Sequence, residues 1–272
     1  MKKQLIYLGP AGVPVSCERR DTISGLRKVH ELGLNAMEVE FVQGVRMSNN
    51  IAKKVGEEAE KLNIKLSVHA PYFINLCNPE KVEASIKRIL DSCERASYMK
   101  AKVIVFHPGY YGNLSKEDAF DMVKENIERI VEIIEDNNWE VFLGLETTGK
   151  HSQFGTLDEI MKIVKKEKRC VPVIDFAHIY ARNLGKIDYG KIFDELSKLK
   201  IDFIHSHFSG IEFTEKGEKR HLPIDTGKPD FKELAKEILK RKINIAIISE
   251  SPILEQDSLK MKEIFESLGY SF

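Results

Sequence analysis

The sequence predicts a single α/β domain over residues 1–272, a closed (βα)8 TIM barrel. Short apolar segments alternate with longer amphipathic segments from one end of the chain to the other. This alternation indicates βαβ units and a parallel sheet. The chain has 272 residues, of which 42% are hydrophobic, and that is enough for one barrel of this kind.

Eight short apolar segments, rich in Val, Ile, Leu and Phe, are the predicted strands. They cover residues 4–8, 36–41, 65–69, 102–107, 141–146, 171–175, 202–208 and 244–250. An open doubly wound sheet more often stops at about five to seven strands, so this number favours a closed barrel.

The segments between the strands carry helical patterns. Residues 121–136 have one apolar stripe, formed by Met122, Ile127, Ile130, Ile133 and Ile134, with acids and lysines on the opposite face. Thr22 and Ser115 each precede a helical pattern, so we expect them to cap the N-termini of two helices.

Charge and cysteine content limit the possible functions. The 42 basic side chains balance the 42 acidic ones, which gives no support to a bulk electrostatic grip on nucleic acid but allows a local basic rim. The four cysteines include no Cys-x-x-Cys pair, which argues against a disulfide framework and a thiolate zinc cluster. No apolar run is long enough to span a membrane, and we expect a cytoplasmic protein without a membrane partner.

Metal-binding side chains recur at the predicted C-terminal ends of the strands, where TIM barrels build their active sites. They are His69, His107, Glu146, Asp175, His207 and Glu250, with His178 and His221 in the loops that follow. One such residue alone is more often a rim residue or a helix cap. Carboxylates packed this closely would repel one another unless cations offset them. Imidazoles and carboxylates without thiolates predict a centre for zinc, manganese or iron.

The segment FIHSHFSG, residues 203–210, places two histidines on one face of a strand, because side chains alternate. His207 is nearer the C-terminal mouth and is the predicted ligand. His205 is expected about 6.6 Å deeper, as a core imidazole or a partner of the ligands, and the reverse assignment, with His205 as the metal ligand, is the open alternative. Glu38 and Glu40 alternate in the same way along strand 36–41, and we expect a salt bridge inside the barrel there.

Six segments in family order resemble the endonuclease IV family of xylose isomerase-like barrels. They are SVHAPYFINLCNP (67–79), VFHPGYYG (105–112), GLETTGK (144–150), VIDFAHIYA (173–181), HFSG (207–210) and SESP (249–252). The resemblance implies a zinc-dependent DNA-repair endonuclease that cuts damaged duplex DNA on the 5′ side of an abasic site. It also implies two or three Zn²⁺ ions, with Mn²⁺ as a possible replacement, and a protein that acts as a monomer.

The same resemblance implies three metal positions. His69 and His107 would hold one ion with Glu146 as a bridge, and Glu146, Asp175, His207 and Glu250 would hold the second. A hydroxide positioned by Glu146 would attack phosphorus. His178 and His221 would hold the third ion together with an acid two residues before His221. This sequence has Lys219 at that position, and a lysine ammonium only donates. Asp225 is the nearby candidate to replace the acid.

The resemblance is weaker for DNA binding. The family's aromatic, basic loop after the second strand corresponds here to FVQGVRM, residues 41–47, in which Gln43 and Arg46 are the candidate contacts. Tyr72 matches a family position near the abasic gap, and Lys150 lies in another loop that touches DNA in the family. Tyr72 as a packed rim residue and Lys150 as a solvated one are open alternatives.

A single-metal sugar isomerase or epimerase on the same barrel is the alternative function. Its metal would need only the quartet Glu146, Asp175, His207 and Glu250, with the glutamates exchanging protons next to a carbonyl. The remaining histidines, His69, His107, His178 and His221, have no clear role in that reaction. They favour the nuclease, and a non-catalytic metal- or DNA-binding relative is the third alternative.

Overall fold

The computed structural model of the chain, which describes residues 3–226 and 228–272, is a TIM barrel with an eight-stranded parallel sheet. In chain order the strands are β1 (Ile6–Pro10), β2 (Ala36–Glu40), β3 (Lys65–His69), β4 (Val103–Phe106), β5 (Gly109–Tyr110), β6 (Phe142–Glu146), β7 (Gln153–Phe154), β8 (Cys170–Asp175), β9 (Ile204–Phe208), β10 (Gly210–Thr214), β11 (Gly217–Leu222) and β12 (Ile245–Ser249). The barrel order is β1-β12-β9-β8-β6-β4-β3-β2, while β10–β11 and β5–β7 form two small antiparallel pairs.

The helices lie between the strands, as the alternating pattern predicts. They are α1 (Thr22–Glu31), α2 (Asn49–Lys61), α3 (Val82–Met99), α4 (Lys116–Asp136), α5 (Leu157–Val164), α6 (Phe176–Arg182), α7 (Tyr189–Ser197), α8 (Phe231–Arg241) and α9 (Glu255–Ser267), with a short 3-10 turn at Ile224–Thr226. None of the helices in the described ranges has both the length and the apolar character needed to cross a membrane.

The barrel closes between β1 and β2 through a close backbone contact. Gly9 lies against Ala36, where an added Cβ would sit 1.7 Å from the Ala36 carbonyl oxygen. The Asn35 side chain links the two strands, because Leu8 N donates to its Oδ1 at 2.7 Å and its Nδ2 donates to Ile6 O at 3.1 Å. A residue larger than glycine would therefore hold the two strands apart.

The predicted strands are all present, with shifted ends. Strand β3 coincides with the prediction, while β1 begins and ends two residues later, because its ladder pairs Ile6 to Pro10 with β12. Ser115 caps α4 as predicted, by accepting from Asp118 N. The cap of α1 is Asp21, one residue before the expected Thr22, because the Asp21 carboxylate accepts from Ser24 N.

The buried stripe of α4 differs from the predicted stripe at two positions, Met122 and Ile133. Val123, Ile127, Ile130 and Ile134 are buried, whereas Met122 is half-buried and Ile133 is 37% exposed. The spacing of the buried residues follows one helix face more closely than the predicted set. The four cysteines are free and buried, in line with the expectation of unbridged thiols.

Candidate metal centre

The predicted side chains meet at the C-terminal mouth of the barrel, around a cavity of about 600 Å³. Glu146 ends β6 and Asp175 ends β8, while His107 and Glu250 directly follow β4 and β12. The cavity wall includes His69, His107, His178, Glu218, His221 and Glu250. His178 lies in the first turn of α6 and not in a loop, since Asp175 caps that helix through His178 N at 2.6 Å.

The Glu146 carboxylate lies at the centre of the cluster and is fully buried. Its Oε2 is 3.3 Å from His69 Nε2 and 2.9 Å from His107 Nε2. Its Oε1 is 3.3 Å from His207 Nδ1 and 3.2 Å from His178 Nδ1. The two oxygens of one side chain therefore face two different groups of nitrogen atoms.

Hydrogen bonds at the Nδ1 atoms orient three of the imidazoles. His69 Nδ1 donates to Ala70 O at 2.8 Å, and His178 Nδ1 donates to Thr147 O at 3.0 Å. His221 Nδ1 shares a hydrogen bond of 2.7 Å with Ser209 Oγ. A proton held on one ring nitrogen leaves the lone pair of the other free for a metal. The Nε2 atoms of these rings are therefore the free positions.

Three groups of side chains at the mouth have ligand atoms within 4.8 Å of one another. They are His69, His107 and Glu146; Glu146, Asp175, His178 and Glu250; and His178, Glu218 and His221. Glu146 belongs to two groups, and so does His178. The ligand types and their clustering are those of a site that can bind metal ions.

Glu218 is the residue that sequence reasoning missed. Its carboxylate lies 3.5 Å from His178 Nε2 and 4.0 Å from His221 Nε2. Lys219, at the position of the family acid, points away and pairs with Glu212 Oε1 at 2.5 Å.

A β-bulge explains this arrangement. In the β10–β11 ladder Glu212 pairs with Arg220, but the next residue, Phe213, pairs with Glu218. Lys219 is therefore the extra residue of a bulge, which reverses the alternation of the side chains around it. Glu218 and His221 consequently face the same cavity although they are three residues apart.

Asp225 does not complete this group. Its carboxylate pairs with Lys260, because the 3-10 turn at Ile224–Thr226 places it beside α9. The candidate DNA contacts are spread around the mouth: Tyr72 is 57% exposed and lines the cavity with Lys150, whereas Gln43 and Arg46 are exposed on the loop after β2.

Two histidines of β9 lie at different depths. His207 Nδ1 is 3.3 Å from Glu146 Oε1 and 3.3 Å from Glu250 Oε1, at the level of the other candidate ligands. His205 lies deeper, where its Nε2 donates to Glu38 Oε2 at 2.9 Å. Glu38 Oε1 also lies 2.8 Å from His207 Nε2, and this pair is the expected interior salt bridge. Glu40 lines the cavity instead.

Raised carboxylate pKa values and unpaired polar atoms at the barrel mouth indicate that the carboxylates there lack enough neighbouring positive charge. Burial raises the pKa of Glu250 well above its usual range against the opposing effect of His207, and the nearby Glu146 and Asp175 add to the increase. Burial also raises the pKa of Glu40 to about 7. Asp175 Oδ2, His178 Nε2 and Glu40 Oε1 are buried and find no hydrogen-bond partner within the described residues. Cations would satisfy these atoms and keep the carboxylates ionised.

Loading the metal-free protein with Zn²⁺ near pH 7 is expected to release protons. Burial alone would lower the pKa values of His69, His178 and His207, but neighbouring carboxylates raise the first to about 10 and the other two well above the usual range. These rings are protonated before a metal displaces the proton, so metal affinity should rise with pH, roughly tenfold per unit for each proton released. Titration calorimetry in two buffers of unlike ionisation enthalpy measures this release, and a heat that is independent of the buffer would contradict it.

Comparisons with known proteins give one family match and several relatives. Residues 26–268 match the family described as xylose isomerase-like TIM barrel. A protein of Methanocaldococcus jannaschii described as uncharacterized is 40% identical over 97% of this chain and 98% of its own length. A protein of Mycoplasmopsis pulmonis named probable endonuclease 4 is 36% identical over 72% of this chain and 73% of its own length. The crystal structure of a D-tagatose 3-epimerase-like protein has the same fold, with a TM-score of 0.70 and 23% identity over 95% of this chain and 96% of that chain.

Proposed function

Since the chain belongs to the xylose isomerase-like TIM barrel family, together with proteins named probable endonuclease 4, we propose that it is a metal-dependent endonuclease. Its substrate is damaged duplex DNA, and it cuts the phosphodiester on the 5′ side of an abasic site. The proposal includes a single barrel domain over 1–272 that acts in the cytoplasm as a monomer.

The main support for the proposal is that four histidines that a single-metal enzyme does not need lie in the same cavity as the predicted metal ligands. His69, His107, His178 and His221 all face the cavity that Glu250 lines. A single-metal isomerase needs only Glu146, Asp175, His207 and Glu250. Two further groups of ligands in the same cavity support a centre with several ions, which suits phosphodiester cleavage because it stabilises both the attacking and the leaving oxygen.

We assign the proposed ligand sets from the ring nitrogens that are available to bind a metal. His69 and His107 would hold one ion with Glu146, and Glu146, Asp175, His207 and Glu250 would hold a second. We assign His207 and not His178 to the second ion, because His178 Nδ1 donates to Thr147 O. His178, His221 and Glu218 hold the third. Zinc is the proposed metal, and manganese the replacement.

The side chains prepare the site for an attack on phosphorus. Bound Zn²⁺ ions lower the pKa of coordinated water toward about 7 and neutralise charge that develops on oxygen. Glu146 directs one carboxylate oxygen toward each of two nitrogen groups, so it would contribute to two neighbouring metal positions and help to position the attacking water. The acids Asp175, Glu218 and Glu250 would repel a phosphodiester without cations, so the site accepts DNA only when the metals are bound.

The cavity rim supplies the proposed DNA contacts. Tyr72 is exposed beside the His69 ring, with ring centroids 5.7 Å apart, and it can stack where the abasic nucleotide leaves a gap. Lys150, Gln43 and Arg46 are the proposed contacts to the backbone. An abasic site is the least costly place to remove a nucleotide from the stack.

The alternative is a sugar isomerase or epimerase that uses the quartet alone. The observation in its favour is that His207 Nδ1 lies 3.3 Å from both Glu146 and Glu250, so both glutamates lie beside one candidate metal ligand. That arrangement could move a proton between carbons next to a carbonyl. It leaves the group of His178, Glu218 and His221 without a role.

The test is strand cleavage of a duplex that contains a tetrahydrofuran abasic analogue. With Zn²⁺ or Mn²⁺ present, we expect a single cut on the 5′ side of the analogue, seen on a denaturing gel against size markers. The same duplex without the analogue is the control and should remain intact. If the analogue strand also remains intact while a ketose substrate is epimerised, the nuclease proposal fails and the alternative stands.

A further inference from the structure

Glu38 occupies a fully buried position on β2, beneath the candidate ligands. Its Oε1 lies 2.8 Å from His207 Nε2, an ion-pair distance without the alignment of a hydrogen bond. Its Oε2 accepts from His205 Nε2 at 2.9 Å and from Ser67 Oγ at 2.6 Å. All four side chains are buried, so water does not compete for these contacts.

His207 is the histidine of β9 that lies at the barrel mouth, and its two ring nitrogens face different side chains. Nδ1 faces Glu146 and Glu250 at 3.3 Å each, while Nε2 faces Glu38. Ionised carboxylates only accept hydrogen bonds, so a metal bound at Nδ1 would leave the ring proton on Nε2, where it faces Glu38. The lone pair of Nδ1 is then directed into the mouth of the barrel.

We propose that Glu38 is a positioning residue that fixes the tautomer and orientation of His207, so that Nδ1 is the atom that binds the metal. This inference rests on the proposed metal centre but not on the DNA substrate, and it holds whether the barrel takes one ion or three. His205 donates to the other oxygen of the same carboxylate and keeps it under His207.

A metal ion bound directly by Glu38, His205 and His207 is the competing interpretation, since their ligand atoms also lie within 4.8 Å of one another. Glu38 forms a hydrogen bond of 2.9 Å with His205 and lies 2.8 Å from His207 Nε2, so the carboxylate contacts both rings directly. Such an ion would also require both nitrogens of His207 to bind metals at once. The geometry therefore favours positioning.

Glutamine is the informative replacement. Glu38→Gln preserves the size of the side chain but offers a single acceptor oxygen, so either His205 or His207 would face an amide donor. Outer carboxylate partners of metal-bound histidines change metal affinity by about 10–100-fold. We therefore expect Glu38→Gln to weaken one Zn²⁺ equivalent by about this factor and to leave any further equivalents unchanged.

Ser67→Ala is the matched control, because it removes a buried hydrogen bond from the same carboxylate without facing His207. It should lower the thermal stability of the metal-free protein and leave zinc affinity unchanged. Affinity is measured by competition with a zinc-binding dye in the absence of DNA. Unchanged affinity in Glu38→Gln overturns the proposal, and so does a fourth zinc equivalent in the wild type that disappears in Glu38→Gln.

A measurement on the unaltered chain covers the case in which Glu38→Gln does not fold. In a long-range ¹H–¹⁵N spectrum of the zinc-loaded wild type, the His207 ring, assigned by its absence in His207→Asn, should carry its proton on Nε2. A proton on Nδ1 overturns the proposal. Because neither measurement uses DNA, a failure of the strand-cleavage test with an Nε2 proton would reject only the nuclease proposal.

Discussion

Glu146→Gln is expected to abolish strand cleavage, with a loss of about 10⁴-fold in rate. The residue directs one oxygen toward His69 and His107 and the other toward His178 and His207. Glutamine replaces one of those oxygens with an NH₂ donor, so two of the proposed ions lose a ligand. Each ion contributes several kcal/mol to stabilising charge in the transition state, and each 1.36 kcal/mol is about tenfold in rate.

Single-turnover cleavage of the tetrahydrofuran duplex, with protein in excess, measures this loss without the contribution of product release. Asp225→Asn is the control, because Asp225 pairs with Lys260 outside the cluster, and its rate should match the wild type. A Glu146→Gln variant that folds and still cuts at a wild-type rate would show that Glu146 does not take part in strand cleavage.

Glu218→Gln is expected to have the next largest effect, a loss of about 10²-fold in cleavage rate. The Glu218 carboxylate faces His178 Nε2 and His221 Nε2 across 3.5 Å and 4.0 Å, and an amide is a much weaker zinc ligand than a carboxylate. The variant should bind one metal equivalent less tightly while the groups around Glu146 remain intact.

Lys219→Ala tests the same hairpin without touching the cavity. Lys219 pairs with Glu212 on the exposed side of β11, and exposed pairs of this kind contribute little to stability. Its metal content and cleavage rate should equal those of the wild type. Loss of metal in Lys219→Ala but not in Glu218→Gln would contradict the assignment of Glu218 to the third group.

The barrel and the side chains at its mouth could be predicted from the sequence, because both depend on local patterns. A parallel strand buried on both faces is a short apolar run, and its C-terminal end is the place for chemistry in this fold. His69 and Glu146 end their strands as predicted. Their meeting in space follows from closure of the barrel.

Glu218 could not be predicted, because its orientation depends on one inserted residue. Regular alternation would pair Lys219 with His221 on one face, and the family pattern points to the same position. The bulge between Glu212 and Phe213 in the ladder reverses that order. A bulge is set by the pairing of two strands, and the sequence of β11 alone contains no sign of it.

The environment of Glu38 could be predicted only in part. Alternation along β2 places Glu38 and Glu40 on one face, and a salt bridge inside the barrel follows from that. The identity of its partners depends on closure of the sheet, which brings β2 opposite β9. His205 and His207 are more than 160 residues away along the chain, at a separation of 167 for His205.

The metal content of the purified, zinc-loaded protein is the most direct test of the proposal that the barrel mouth holds three ions, one in each proposed ligand set. Elemental analysis of the wild type after removal of loosely bound zinc should give about three equivalents per chain, one for each proposed ligand set. A single equivalent, unchanged in Glu218→Gln, would contradict the account and leave only the quartet of a one-metal enzyme.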